Sequence, residues 1–141
     1  MIHLVDTSVW IDFLNGADRP ARHALRRLIA DSPESLAIGA PIRMELRMGG
    51  NDIARRRLEA VIDGLVDLDV DPGDYDTAAD IFRAVRASGH GVRSSIDCLI
   101  AAVAERHGAR LVHADVDYVR IAAVVPSFDA LDVRGGVTEP T

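Results

Sequence analysis

Short apolar runs alternate with longer amphipathic stretches along the chain. Each run has the length of a buried strand: "IHLVD", "SLAIG", "LVDLDV", "RLVH" and "AVVPSF". Between the runs, apolar residues recur every three to four positions, which predicts amphipathic helices. The predicted helices cover residues 7–15, 19–31, 41–48, 51–66, 75–88, 94–107 and 116–122.

This alternation predicts the fold class. Apolar strands joined through helices are typical of parallel strands that are buried on both faces. We therefore expect an α/β fold, a three-layer α/β/α sandwich with a short, mostly parallel central sheet. Residues 1–133 are predicted to form a single domain, and residues 134–141 a flexible tail.

The composition is that of a globular protein with an aliphatic core. The 141 residues can bury a core without disulfides; 48% of them are hydrophobic, although only 4% are aromatic. Cys98 is the only cysteine, and no Cys/His cluster has zinc-like spacing, which favours a reducing, cytoplasmic setting. Because the amino terminus lacks the basic region of a signal peptide and every apolar stretch is short, we expect neither export nor membrane insertion.

The charge pattern gives weak information about partners. A net charge of −6 argues against binding nucleic acid through bulk positive charge. All 16 basic residues are arginines, whose guanidinium groups suit phosphate oxygens. Several are grouped, but such groups usually form solvated helix faces. They are Arg19, Arg22, Arg26 and Arg27, then Arg43 and Arg47, then Arg55, Arg56 and Arg57.

Five acids are expected at one edge of the sheet. Asp6 follows the first predicted strand, and Asp115 and Asp117 follow "RLVH". Glu45 lies one turn into the helix after "SLAIG", and Asp97 lies in the first turn of another helix. Each has an ordinary structural explanation, as a cap, a turn residue, a partner of the helix dipole or a surface residue. Together they are better explained by a site, because ligands bind beyond the carboxyl ends of parallel strands.

Two of these acids lie on apolar helix faces. Glu45 shares its face with Pro41 and Ile42, and Asp97 shares its face with Ile100 and Ala104. A buried carboxylate needs a cation, donors or water. Arginines remain possible partners, the nearest in sequence being Arg43, Arg47 and Arg93. A divalent cation with oxygen ligands, Mg²⁺ or Mn²⁺, would relieve the repulsion within the whole cluster and would suit phosphodiester cleavage.

Three motifs resemble a known family. "LVDTSVWIDFL", "RMEL" and "GHGVRSSIDCLIAAVAERHGARLVHADVDY" are similar to the PIN-domain ribonucleases, in particular the VapC-like toxins of bacterial toxin–antitoxin pairs. The resemblance runs from about residue 2 to about residue 130. It implies a PIN-like fold and a Mg²⁺- or Mn²⁺-dependent endoribonuclease. Asp6, Glu45, Asp97 and Asp115 would be the catalytic acids that hold the metal.

The same resemblance assigns supporting roles. Asp117 is similar to an additional metal-binding acid of the last motif, and Ser8 to a small hydroxyl residue that supports the site through hydrogen bonds. His113 departs from the family, which commonly has Thr or Ser there; we leave open a core residue, a supporting donor or a substrate contact, and favour the first two. Tyr118 is expected to pack rather than catalyse.

Three other features of the sequence bear on function. Cys98 is predicted to be a core thiol. Trp10 is predicted to pack, with the alternative that an exposed face stacks on a base. The remaining histidines show no metal-ligand spacing.

The family resemblance also implies partners. These are an RNA substrate, a cognate antitoxin protein that places a basic side chain among the acids, and a second copy of the chain in a homodimer. The helices predicted at 7–15, 19–31 and 51–66 could form the antitoxin groove, unless their apolar stripes face only the core.

Two alternative functions remain open. One is a non-catalytic RNA- or protein-binding module on the same fold, which would not need a divalent metal. The other is a haloacid-dehalogenase-like phosphatase, which needs a second aspartate two positions after the first, where this chain has Ser8.

Overall fold

The computed structural model describes residues 1–135, which form five strands and seven α-helices. The strands are β1 (His3–Val5), β2 (Leu36–Gly39), β3 (Val66–Leu68), β4 (Arg110–His113) and β5 (Ala130–Asp132). The helices are α1 (Thr7–Leu14), α2 (Pro20–Asp31), α3 (Ala40–Arg47), α4 (Asp52–Ile62), α5 (Pro72–Ala87), α6 (Ser95–Arg106) and α7 (Val116–Val124), and a short 3-10 helix covers Pro33–Ser35.

All five strands are parallel and lie in the order β3-β2-β1-β4-β5. Every residue of β1 and β2 is buried. Since successive strand residues point to opposite faces, burial of all of them means that helices cover both faces of the sheet. The predicted three-layer α/β/α sandwich with a parallel sheet is therefore confirmed.

Helix α6 is the most deeply buried helix of the described chain. Residues 97–104 are all buried, and the helix packs against α3, α5, α7 and β4. Apolar residues surround the whole helix, as expected where both sides are covered by protein. The Ser94 hydroxyl caps its first turn, and Gly108, with a φ of 62°, follows its end. The predicted start and stop of this helix are confirmed.

Two predicted elements have a boundary that differs from the structure by four residues or more. The last strand was expected at "AVVPSF", residues 123–128, but it lies at Ala130–Asp132. Ala123 and Val124 instead continue α7, and Pro126 lacks the amide hydrogen that a strand donates to its neighbour. The helix predicted over 51–66 ends at Ile62, because a turn at 63–65 must precede β3.

The tail was predicted at 134–141, and its residues 136–141 lie outside the part of the chain that the structure describes. Within residues 1–135, no helix combines the length and the apolar character that crossing a bilayer requires.

Candidate active site

The carboxyl ends of β1, β2 and β4 lie side by side, and a helix follows each of them after at most two residues. Asp6 is the residue between β1 and α1, and it caps the helix: its Oδ2 accepts hydrogen bonds from the Ser8 amide (3.1 Å) and the Ser8 hydroxyl (2.6 Å). Asp115 has the same place between β4 and α7, where its Oδ1 accepts from the Asp117 amide (2.9 Å). The capping explanation thus holds for Asp6, whereas Asp115 caps a helix where only a turn residue was expected. Both caps lie at one edge of the sheet.

Asp6 and Asp97 meet at a buried hydroxyl. The Tyr118 hydroxyl lies 2.9 Å from Asp6 Oδ1 and 3.3 Å from Asp97 Oδ1. Tyr118 is 0% exposed, and burial raises the pKa of its phenol well above the usual value, so the group stays protonated and donates. Two acids separated by 91 positions in the chain are therefore connected by one donor.

Asp97 is also close to the acids after β4. One carboxylate oxygen from each of Asp97, Asp115 and Asp117 lies within 4.8 Å of the other two. Asp97 is buried, and its pKa is raised to about 7, chiefly by burial and then by repulsion from Asp6, Asp115 and Asp117. The ionised form of this carboxyl is held at an energetic cost, which a bound cation would remove.

Glu45 joins the cluster from α3. Its Oε1 accepts a hydrogen bond from the Thr7 hydroxyl (2.9 Å), at the first position of α1. Its pKa is raised, first by burial and also by the nearby charge of Asp6. The structure therefore brings all five predicted acids to one edge of the sheet. Asp97, Asp115 and Asp117 are the closest set, with Asp6 and Glu45 alongside.

The donor set fits a hard divalent cation. All five side chains offer carboxylate oxygens, the ligands that Mg²⁺ and Mn²⁺ prefer. Asp117 Oδ1 is buried and has no hydrogen-bond partner among the described residues; the nearest cation, Arg120 Nη1, is 3.7 Å away. Within residues 1–135, no arginine or histidine forms an ion pair with Asp6, Glu45 or Asp97. These carboxylates are compatible with an ion between them.

Arg47 and Arg93, the possible partners of Glu45 and Asp97, form ion pairs with other acids. Arg47 pairs with Glu59 (3.3 Å) rather than with Glu45. Arg93 pairs with Asp115 (2.9 Å) and Asp117 (3.2 Å), not with Asp97. Sequence separation was a poor guide here, because the loop before α6 folds over the start of α7.

Ser8 and His113 hold the cluster in place. The Ser8 hydroxyl donates to Asp6 and accepts from the Ala114 amide (3.1 Å), so it connects α1 to the residues after β4. His113 is 1% exposed, and its Nδ1 accepts from the Asp115 amide (3.2 Å). Because an amide can only donate, the ring proton is on Nε2; burial lowers the pKa and favours this neutral form. His113 is a core residue that supports Asp115 as an acceptor, not as a donor.

Three functional contacts were missed by the sequence analysis. The Tyr118 hydroxyl, the Thr7 hydroxyl and the Arg93 guanidinium each bind one or two of the acids. A signal for the Tyr118 contact was available, since a buried phenol needs a hydrogen-bond partner and Tyr118 lies one turn after Asp115.

Trp10 is fully buried, so it has no exposed face for a base. Cys98 is also fully buried and is the predicted core thiol, with its pKa raised to about 11 by burial.

Comparison with known proteins identifies the family. Residues 3–124 match the PIN domain family. The chain is 42% identical over 123 residues to the VapC ribonuclease Mb1587 of Mycobacterium bovis, which covers 86% of this chain and 92% of that protein. It is 30% identical over 125 residues to ribonuclease VapC51 of Mycobacterium tuberculosis, which covers 86% of each chain.

Solved structures share the fold. The chain resembles VapBC2 from Rickettsia felis, solved with a fragment of promoter DNA, with a TM-score of 0.73, 18% identity and coverage of 94% and 98%. It also resembles VapC20 of Mycobacterium tuberculosis, described as a sarcin–ricin loop cleaving toxin, with a TM-score of 0.62, 23% identity and coverage of 87% and 96%. Family match, sequence identity and fold agree, and the chain belongs to the PIN domain family and, within it, to the VapC ribonucleases.

Proposed function

We propose that this protein is a divalent-metal-dependent endoribonuclease and the toxin of a toxin–antitoxin pair. The observation that carries the proposal is the buried meeting of Asp6 and Asp97 at the Tyr118 hydroxyl, next to Asp115 and Asp117. The relationship to VapC ribonucleases supports RNA as the substrate. We further propose that residues 1–133 form one domain that acts in the cytoplasm.

Asp97, Asp115 and Asp117 would hold Mg²⁺ or Mn²⁺, with Asp6 and Glu45 completing the ligand set. When bound, such an ion lowers the pKa of a coordinated water and stabilises the departing 3′ oxygen of the cleaved phosphodiester. Products would carry 5′-phosphate and 3′-hydroxyl ends. Asp6, Glu45, Asp97 and Asp115 are the proposed catalytic acids; Ser8 and Tyr118 orient the Asp6 carboxylate through its two oxygens.

The alternatives are less well supported. A haloacid-dehalogenase-like phosphatase needs an acid where Ser8 stands, and the Ser8 hydroxyl is already bonded to Asp6 and the Ala114 amide. A non-catalytic binding module would have no use for Asp97, whose ionised form is destabilised by its surroundings.

Cleavage of RNA by the purified, partner-free protein tests the proposal. We expect structured RNAs to be cut with Mg²⁺ or Mn²⁺ and left intact with EDTA. Asp6→Asn and Asp97→Asn should each lower the rate by about 100-fold or more, because each removes a charge from the ligand set. Asp18→Asn, at an exposed residue paired with His23, is the matched control and should keep full activity. Cleavage without divalent metal, or full activity in both site variants, contradicts the proposal.

A groove beside the acids supports the antitoxin as partner. It has a volume of about 210 Å³ and lies between α1, α3 and α4. Its lining includes Ile11, Leu14, Leu46, Leu58 and Glu45.

A second apolar groove of about 380 Å³ lies between α1, α2 and the end of α4. Its lining includes Phe13, Ile29, Val61 and Leu65. We infer that an antitoxin segment occupies these grooves, from which a basic side chain reaches Glu45.

A charged variant tests this surface. Ile11 is 46% exposed, so Ile11→Asp should fold normally. It should weaken inhibition by the cognate antitoxin at least tenfold while cleavage of RNA in the absence of antitoxin stays unchanged. Equal inhibition of the variant and the wild type would place the antitoxin elsewhere.

We also propose a homodimer through α5 and α6. Tyr75, Ala79 and Phe82 of α5 form an open apolar surface with Ile96 of α6. The exposed aspartates of α5, Asp76 and Asp80, precede its exposed arginines, Arg83 and Arg86, so two antiparallel copies would pair opposite charges. Light scattering of Phe82→Asp should report a monomer where the wild type is a dimer; a dimer in both contradicts this interface.

A further inference from the structure

Arg93 holds two acids that differ in accessibility. It lies between α5 and α6, and its side chain is 72% exposed. Its Nε and its backbone amide both donate to Asp117 Oδ2, each at 3.2 Å, and the Asp117 side chain is 1% exposed. Its Nη2 donates to Asp115 Oδ1 at 2.9 Å, and the Asp115 side chain is 23% exposed. One end of the guanidinium is therefore anchored in the interior, and the other end forms a pair that water reaches.

The same carboxylates belong to the proposed metal site. Oxygens of Asp97, Asp115 and Asp117 lie within 4.8 Å of one another, so a cation there would be close to the Arg93 guanidinium. In the absence of a metal, Arg93 supplies positive charge to Asp115 and Asp117. A metal that binds Asp115 must compete with the Nη2 bond, and exposed ion pairs of this kind are weak.

Arg120 secures the anchored end. Its Nη1 donates to the Gly91 carbonyl (3.1 Å) and lies 3.7 Å from Asp117 Oδ1. This arginine holds the loop that carries Arg93 and contributes charge to Asp117 from the other side. Asp117 would therefore keep a cationic neighbour if Arg93 were replaced, which makes Arg93 variants suitable for study.

We propose that Arg93 exchanges partners during catalysis and positions the RNA. In the metal-free protein its guanidinium bridges Asp115 and Asp117. With Asp115 engaged by a metal, Nη2 would be released while Nε stays on Asp117, and the exposed Nη1–Nη2 fork would bind a phosphate of the RNA. A planar guanidinium is suited to this, since it can donate two parallel hydrogen bonds to phosphate oxygens. The inference rests on the proposed function and adds a substrate-positioning residue to it.

Arg93→Gln tests separately the effect of Arg93 on metal binding and its proposed contact with RNA. Without RNA, Mn²⁺ titration by calorimetry should show a dissociation constant about 3–10-fold lower than in the wild type, because the competing cation is gone. With saturating Mn²⁺, the KM for RNA should rise about tenfold or more while kcat changes less than about threefold, since a phosphate contact has been lost. A merely structural role would weaken both kinds of binding or neither.

Two further variants complete the design. Arg93→Lys keeps the charge but not the fork, so Mn²⁺ affinity should stay at the wild-type value while KM remains raised. Arg19→Gln is the matched control, because Arg19 is also an exposed arginine bonded to an aspartate, with 68% of its side chain exposed and Asp12 at 3.3 Å. Both constants should be unchanged in Arg19→Gln.

Failure of the inference about Arg93 can be distinguished from failure of the proposed function. Failure of the wild type to cleave any RNA with Mn²⁺ would overturn the proposed function. The inference about Arg93 is overturned if Arg93→Gln binds Mn²⁺ no more tightly than the wild type, or if its KM for RNA is unchanged. A raised KM in Arg19→Gln equal to that in Arg93→Gln also overturns it, because bulk charge would then explain the effect.

Discussion

At the scale of single residues, Asp97 combines its proposed role in metal binding with a cost in stability. Its pKa is raised to about 7 from an ordinary value of 3.8, first by burial and then by repulsion from neighbouring acids. Between these two values the folded protein keeps a proton that the unfolded chain has released. The free energy of unfolding contributed by Asp97 therefore falls as the pH rises through this window and is constant above it. The accumulated cost is of the order of 4 kcal/mol at most.

Asp97→Asn should therefore stabilise the metal-free protein at alkaline pH. We expect the free energy of unfolding at pH 8 to exceed that of the wild type by about 1–3 kcal/mol, with a difference near zero at pH 4. Urea denaturation with EDTA at several pH values measures this difference. Asp31→Asn, at an exposed position with no ion pair among the described residues, is the control and should leave the difference from the wild type near zero at both pH values. A difference that is independent of pH would contradict the raised pKa of Asp97.

Tyr118→Phe should move the pH dependence of metal binding. The hydroxyl bond from Tyr118 lowers the pKa of Asp97, so its removal raises that pKa above its wild-type value of about 7. Because metals bind the ionised carboxylate, Mn²⁺ affinity rises with pH up to the pKa of Asp97. In Tyr118→Phe this rise should move up by about half a pH unit or more. Calorimetric titrations between pH 6 and 9 measure the shift.

The second tyrosine provides the control for this experiment. Tyr75 is exposed on α5 and its hydroxyl bonds none of the five acids among the described residues, so Mn²⁺ titration of Tyr75→Phe should give the wild-type pH profile. The ring of residue 118 should keep its contacts with His113 and Phe128 when only the hydroxyl is lost. Identical pH profiles for Tyr118→Phe and the wild type would show that the hydroxyl does not tune Asp97.

At the scale of elements, the amino-terminal ends of helices build the site. Asp6 caps α1, Ser94 caps α6 and Asp115 caps α7. The positive ends of helix dipoles attract negative charge, so helix starts are suitable places for a group of carboxylates. Local sequence rules for helix starts therefore also determine where the acids stand.

Two substitutions at Asp6 separate capping from catalysis. Asparagine caps helices about as well as aspartate, whereas alanine does not cap. We expect Asp6→Asn to stay within about 0.5 kcal/mol of the wild type in free energy of unfolding, and Asp6→Ala to lose about 1 kcal/mol or more. Both should lose RNA cleavage. Thermal or urea unfolding measures stability, and equal stability of the two variants would mean that the cap at Asp6 contributes little.

At the scale of the whole molecule, a divalent metal should stabilise the fold. The proposed ion would bind carboxylates contributed by β1, α3, α6 and α7 or the residues adjoining them, so it would bind the folded state only. At a concentration 100 times its dissociation constant it adds about 2.7 kcal/mol, which raises the Tm by roughly 9 °C for a chain of this size. Differential scanning calorimetry with Mn²⁺ or EDTA measures the shift.

The shift should depend on Asp97 and on pH. Asp97→Asn should lose most of it, and in the wild type it should shrink at pH 5, where Asp97 is protonated. Sodium chloride at equal ionic strength is the control for screening. An equal Tm shift in Asp97→Asn would mean that the metal binds elsewhere.

Much of the architecture was predictable from the sequence because it follows local rules. Within residues 1–135, apolar periodicity predicted all seven α-helices and four of the five strands to within a few residues. The fifth strand was predicted too early, because apolar residues around Pro126 resembled a strand while α7 continued through Val124. The topology rule for parallel sheets then placed the five acids at one edge, without any knowledge of side-chain geometry.

The sequence alone determined which acids could meet, because strand ends and helix starts are encoded over a few neighbouring residues. Only the tertiary structure decided how they meet. Tyr118 lies 112 positions from Asp6, and Arg93 lies 24 positions from Asp117, yet both pairs are in hydrogen-bond contact. Such contacts depend on how α6 and α7 pack beside the sheet, and packing is a property of the whole core rather than of any one segment.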